Sequence, residues 1–194
     1  MGRPRYAEGD TTARDRLAEA FWEQLEAVPF ERMTARGVAA AARVNHNTFY
    51  RHFDSLEDMA GKLFDDITLA DVPPMLVAAT SQGTLAEAVG NVVPNPEALQ
   101  RAVLFARSGS ALLTKLVREK LTNTWLAAAG MRAEDLTDAQ RIDVDIIFGG
   151  IVSAMGDPFI QPDASFIAKT MTRPLGQAMI STLAGLKEET PIQR

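Results

Sequence analysis

The sequence predicts an all-α protein of about nine or ten helices, a short N-terminal group followed by a larger helical part. Three observations carry this. Apolar residues recur at spacings of three and four along most of the 194 residues. Ser, Thr or Asn repeatedly stands ahead of these stripes, several times with an acid or Gln three residues on, which is how a helix start reads in sequence. No stretch alternates polar and apolar residues for long enough to make a strand.

The elements follow in order. Thr12 with Asp15 reads as a capping box. Leu17, Phe21, Leu25 and Val28 then form one apolar stripe, stopped by Pro29. Its opposite face carries Asp15, Glu19, Glu23 and Glu26 and reads as solvated. Thr34 caps a second, short helix whose apolar face is Val38, Ala41 and Ala42. Arg43 and Val44 make a tight connection, and Asn45 caps a third helix. Val44 and Phe49 fit a hydrophobic staple, and Phe53 completes the buried face. Ser55 with Asp58 opens a fourth helix through Leu56, Met59, Ala60, Leu63, Phe64 and Ile67 to about Ala70, ended by Pro73 and Pro74.

Further helices are expected near 74–79 and 84–92. Asn95 and Pro96 open one that fades at Ser108-Gly109. Another covers 110–129 and closes at Gly130. Thr137 with Gln140 opens the next, which ends at Gly156 and Pro158. The last runs from Asp163 to about Leu186, kinked or split at Pro174, and 187–194 read as a frayed tail.

Composition excludes several classes. Hydrophobic residues make up 46% and charged residues 23%, which is globular rather than disordered. There are 0 cysteines and 2 histidines, so thiolate chemistry is absent and a multi-histidine metal centre is not expected. Asp143 and Asp145 lie two apart, on different sides of a helix, and do not share a metal. No apolar run is long enough to span a bilayer, and no signal-peptide core opens the chain. Tyr6 stands where a myristoylation motif needs Ser or Thr. A cytoplasmic protein with no metal and no cofactor is expected. No glycine-rich phosphate loop, nucleophile elbow or carboxylate–histidine set points to an enzyme.

The net charge of −5 argues against a nucleic-acid partner, but the charge is unevenly placed. Residues 1–53 hold eight Arg against seven carboxylates, a net +1. Residues 54–194 hold 12 basic against 18 acidic residues, a net −6. From Arg32 to Phe53 there are four arginines and no carboxylate. Such a stretch is a hint of an anionic partner.

A helix, a short helix, a tight turn and another short helix make a helix-turn-helix. At roughly 100° per residue, Phe49 and Phe53 point inward while Asn47 and Arg51 centre the opposite face, flanked by Thr48 and Tyr50. His46 sits in the first turn. Arg suits guanine and Asn suits adenine, while Thr, Tyr and His suit phosphates. Periodicity alone leaves two readings open, a DNA-reading face and the polar face of a surface helix. Arg3 and Arg5, in Gly2-Arg3-Pro4-Arg5, fit either a minor-groove arm or a plain tail.

The run from Thr34 to Phe53, TARGVAAAARVNHNTFYRHF, resembles the DNA-binding region of TetR-family transcriptional repressors. The resemblance is detailed over residues 12–68 and only architectural beyond. It implies that Thr34 and Arg36 touch phosphates or the groove edge. It makes Asn45 the cap in place of the usual Ser, and His46, Asn47 and Thr48 the contacting start of the recognition helix. Tyr50 matches the family's tyrosine, and His52 and Phe53 its aromatic pair. There are two departures. Arg43 replaces the usual Gly of the turn and is expected to need positive φ. Leu56 stands where many members carry a Lys, and is left out of the site.

The resemblance implies a DNA-binding domain at 1–54, with helix 55–70 leading into a helical ligand-binding and dimerisation domain, 55–194. It implies a homodimer on a near-palindromic operator, released by a small, largely apolar effector. Phe64, Phe105, Trp125 and Phe148 are the candidate ligand-lining residues. Phe148, Ile151, Val152, Met155, Leu175, Met179 and Leu183 are the candidate dimer-interface residues. Gly149 and Gly150 would let helices approach. For all of these, ordinary core packing is the alternative.

Overall fold

The structure is a computed structural model that describes residues 12–67, 95–163 and 169–189. The expected helices near 74–79 and 84–92, the Arg3/Arg5 arm and the chain's last residues lie outside these. Among the described residues the fold is all-helical. Eight α-helices are defined: α1 Ala13–Ala27, α2 Ala35–Ala41, α3 His46–Tyr50, α4 Leu56–Asp65, α5 Pro96–Arg107, α6 Ala111–Ala128, α7 Asp138–Gly156 and α8 Pro174–Glu189. Short 3-10 turns at Phe30–Arg32 and Ala133–Asp135 link some of them.

The helix starts follow the chemistry of their caps. Thr12 and Asp15 form a reciprocal capping box, and Thr137 and Gln140 form another. Thr34, Asn45 and Asn95 each accept a backbone N–H from the first turn they cap. At α4 the box is displaced by one residue. Ser55 accepts the Asp58 N–H at 3.1 Å, but the Asp58 carboxylate accepts the N–H of Asp54 rather than that of Ser55. The Lys62 ammonium, 2.7 Å away, and that Asp54 N–H hold the Asp58 carboxyl below its ordinary range, against a small opposing effect of burial.

The chain divides into two compact units, residues 1–63 and 64–194. The division falls within α4. In the first unit α1, α2 and α3 pack on one another. Their core is Leu17, Phe21, Leu25, Phe30, Val38, Ala39, Phe49 and Phe53. Phe21 meets Trp22 and Phe30 edge to face, at 5.3 and 6.4 Å. Two expectations need correction. Val28 is 39% exposed, because α1 stops at Ala27 and the backbone turns extended before Val28 reaches the stripe. Ala41 is exposed and Ala39 buried, so the packed face of α2 is Val38, Ala39 and Ala42.

In the second unit α7 packs against α5, α6 and α8. A Cβ on Gly156 would lie 3.0 Å from the Ala106 carbonyl, so the small residue permits the α5–α7 approach. Buried Gln140 is fully used: its amide donates to the Leu186 carbonyl at 2.9 Å, and its oxygen accepts the Thr137 N–H. The Trp125 indole donates to the Leu183 carbonyl at 3.3 Å. Pro174 sits at the first position of α8, where its missing N–H costs nothing. Residues 169–171 are helical as well, so the chain is split at the proline, and α8 runs on to Glu189.

Candidate nucleic-acid interface

α3 is only five residues long and does not hold its shape through its own hydrogen bonds. Its inner side fixes it. Phe49 is fully buried, and Phe53, 1% exposed, packs on it with ring centroids 5.6 Å apart. The Phe53 N–H bonds the Phe49 carbonyl at 2.9 Å, carrying the helical path past the last residue of α3. The Lys62 ammonium lies 5.8 Å from the Phe53 ring centre.

With Phe49 inward, the polar residues face out. Asn47 and Arg51 are exposed, as are His52 and Asn45, and Thr48 is half-buried. Tyr50 is 51% exposed, unusual for a large aromatic and suited to a contact outside the chain. His46 stacks edge to face against Tyr50, four residues on, at 4.9 Å, so these two make one flank of the helix. Thr34 and Arg36 stand exposed at the start of α2, with the Thr34 hydroxyl engaged as cap to the Gly37 N–H.

The other flank is a cleft of about 480 Å³. Asn45, Thr48, Arg51 and His52 line it, all of them predicted from sequence. Arg16 and Arg43 also line it, together with Thr12, Ala13 and Val44. Arg16 was not signalled by sequence, because it lies 27 residues before Arg43 and no local pattern brings it beside the turn. Arg43 was noticed only for its backbone.

That backbone is unusual. Arg43 has φ 54°, the only positive φ on a non-glycine among the described residues. It sits just past α2, where its N–H bonds the Ala40 carbonyl and the Val44 N–H bonds the Ala39 carbonyl. This is a Schellman turn. The same pair of bonds ends α6, from Gly130 to Ala127 and from Met131 to Leu126, and there glycine takes the left-handed position at φ 69°. The chain thus makes one turn twice, once with the residue that suits it and once with arginine.

Residues 17–63 match the family model described as bacterial regulatory proteins, tetR family. That span covers most of α1, all of α2 and α3 and most of α4, and leaves out only Thr12, Ala13 and Arg16 of the cleft just described. The chain carries a TetR-family DNA-binding domain. The function of such a domain is DNA-binding transcriptional regulation. The chain is also similar in structure to a TetR family repressor, AlkX, from Dietzia sp. strain DQ12-45-1b, implicated in biodegradation of n-alkanes. The identity is 17% over 92% of this chain and 99% of that one, with a TM-score of 0.39. Comparison with curated proteins gives no match. Among the described residues no helix is long and apolar enough to cross a membrane.

The other candidate residues lie in the second unit. Phe64 and Phe105 are buried and stack at 4.7 Å, with ring planes 17° apart. Trp125 and Phe148 are buried in a separate cluster with Leu126, Val144, Ile147, Ile180, Leu183 and Leu186. The structure therefore sorts the four aromatics into two sets. Of the residues expected at a dimer interface, Phe148, Val152, Met155 and Leu183 are buried within their own chain. Ile151 and Met179 are half-buried and packed against the same cluster. Leu175 is 73% exposed, and Ile142 at 59% and Ile146 at 67%, which lie in the 142–155 segment expected to dimerise without being named individually, are exposed as well.

The turn yields a direct test. Arg43→Gly removes the left-handed penalty of a Cβ while adding some chain entropy, so it should stabilise the protein by about 0.5–1 kcal/mol. A urea midpoint that falls in this variant would show that the Arg43 side chain supports the fold.

Proposed function

We propose that the chain is a transcriptional regulator, a repressor that binds a near-palindromic operator as a homodimer in the cytoplasm and is released by a small, largely apolar effector. The observation that carries the reading is the outward side of α3, where Asn47 and Arg51 stand exposed on a helix anchored from behind by Phe49. Arg51 suits guanine and Asn47 suits adenine, while Thr48, His46 and Tyr50 suit the phosphates beside them. Thr34 and Arg36 extend the phosphate contacts, Asn45 holds the start of the helix, and His52 borders its end. A regulator of this kind needs no metal and no cofactor and is not an enzyme.

The dimer reading draws on the outer sides of α7 and α8. Ile142, Ile146, Gly150 and Ser153 recur on one exposed side of α7. Among the described residues a Cβ on Gly149 or Gly150 would meet nothing within 4 Å, so the glycines serve no close approach there. Exposed Leu175 and half-buried Met179 supply a similar side on α8. Ile142, Ile146, Leu175 and Met179 are therefore the proposed contacts, with half-buried Ile151 beside them. Phe148, Val152, Met155 and Leu183 support the interface from behind. For the effector, the Phe64–Phe105 stack and the Trp125 and Phe148 region are the proposed apolar linings.

Three outcomes are expected. Arg51→Ala should cost ~1–3 kcal/mol of operator affinity and relax base preference, while Tyr50→Phe weakens all sequences alike. Competition binding on an operator recovered from a randomised duplex pool separates the two, and unchanged affinity for Arg51→Ala refutes the base-reading role. Ile146→Asp places a carboxylate in a dry interface and should give helical monomers that no longer bind the operator. Sedimentation that finds an intact dimer moves the interface elsewhere. An effector should lower operator affinity roughly 5–150-fold, and the operator should weaken the effector by the same factor. Calorimetric titration with and without operator checks this, and a ligand that binds equally in both is not the effector.

A further inference from the structure

The cleft beside α3 contains two arginines that the recognition helix does not account for. Arg16 comes from the start of α1, and Arg43 from the turn between α2 and α3. With Arg51 they set three arginines around one concavity, and His52 joins them. Among the described residues no carboxylate lines it. Asp15, next to Arg16 in sequence, is tied to the Thr12 hydroxyl at 2.6 Å and to the Thr12 N–H at 3.1 Å. Among the described residues no ion pair joins Arg16, Arg43 or Arg51 to an acid. Converging like charges of this kind repel in the free protein and favour an anion between them.

The position of the cleft says which anion. A helix with its side chains is roughly 10–12 Å across, and the major groove of DNA is about 12 Å wide. A helix lying in that groove meets a row of phosphates on each flank. His46 and Tyr50 occupy one flank of α3, and the cleft is the other. Arg43 also carries a conformational cost that the turn does not require, since glycine makes the same turn at Gly130. Its guanidinium, not its backbone, suits the position.

We propose that Arg16 and Arg43 clamp a backbone phosphate of duplex DNA on the flank of α3 away from Tyr50, with the Thr48 hydroxyl beside them. This rests on the DNA-binding reading above and adds to it a contact made by two residues outside the recognition helix. Each guanidinium presents a planar fork that donates paired N–H bonds to phosphate oxygens. Phosphates are alike at every base pair, so the clamp adds affinity and register without base preference. Arg51 remains directed at the base edges.

The test is the salt dependence of affinity for a random-sequence duplex, measured on the full chain and on Arg16→Ala, Arg43→Gly and Lys115→Ala. Each lost phosphate contact lowers the slope of log affinity against log salt by about 0.9. Over a fourfold rise in salt, a clamp variant should therefore lose roughly threefold less affinity than the native chain. Both clamp variants should bind more weakly at low salt, with the base preference recovered from a randomised pool unchanged. Arg43→Gly should do so while its unfolding midpoint does not fall, which separates lost contact from lost structure. Lys115→Ala, an exposed cation of the second unit, should keep the native slope. If the native chain binds duplex and both clamp variants keep its slope, the clamp is refuted and the DNA-binding reading stands. If the native chain binds no duplex, both fall together.

Discussion

The burial of one phenyl ring governs the rest of the site. A helix of five residues does not persist in water, because nucleation costs more than so few hydrogen bonds return. α3 exists because Phe49 is inserted fully into the first unit and Phe53 packs behind it. Once that side is anchored, the direction of every other side chain on α3 follows from helical geometry. Asn47 and Arg51 face out, His46 and Tyr50 fall to one flank, and Thr48 to the other. In the proposed reading, specificity for an outside partner depends on an apolar contact that the partner never touches.

The electrostatics follow a similar division of labour. The chain is acidic as a whole, at net −5, yet the surface around α3 is cationic. An acidic remainder disfavours indiscriminate adhesion to polyanions and leaves attraction concentrated at one place. Among the described residues the nearby Asp15 carboxylate is engaged locally. The Thr12 hydroxyl and the Thr12 N–H hold the Asp15 carboxyl below its ordinary range while it caps α1, so it stays ionised without entering the cleft.

Local chemistry was the most legible part of the sequence. Caps at Thr12, Thr34, Asn45, Asn95 and Thr137 were readable because each acts within three or four residues, and so was the positive φ at Arg43, which follows from a turn geometry. Burial was legible where a stripe was continuous, as at Leu56, Met59, Ala60, Leu63, Phe64 and Ile67. It failed at Val28 and Ala41, where a helix end or a small rotation decides the face. On α7, whose 146–155 stretch is apolar around most of the helix, periodicity did not separate Phe148 and Val152, buried in the chain, from Ile146, which is exposed like Ile142 one turn before it. Arg16 was missed because its neighbours in the cleft lie far along the chain. Long-range juxtaposition leaves no local trace.

The chain has 2 tryptophans, Trp22 in the first unit and Trp125 in the second, and both are nearly buried. Trp22 meets Phe21 edge to face, whereas Trp125 has its indole N–H hydrogen-bonded to the Leu183 carbonyl. Each unit thus contains one natural fluorophore in a distinct environment, one against an aromatic edge and one polarised through its ring nitrogen. Replacing either with Phe leaves a single emitter that follows one unit alone. The order in which the two halves loosen is thereby open to direct optical observation, without any attached dye.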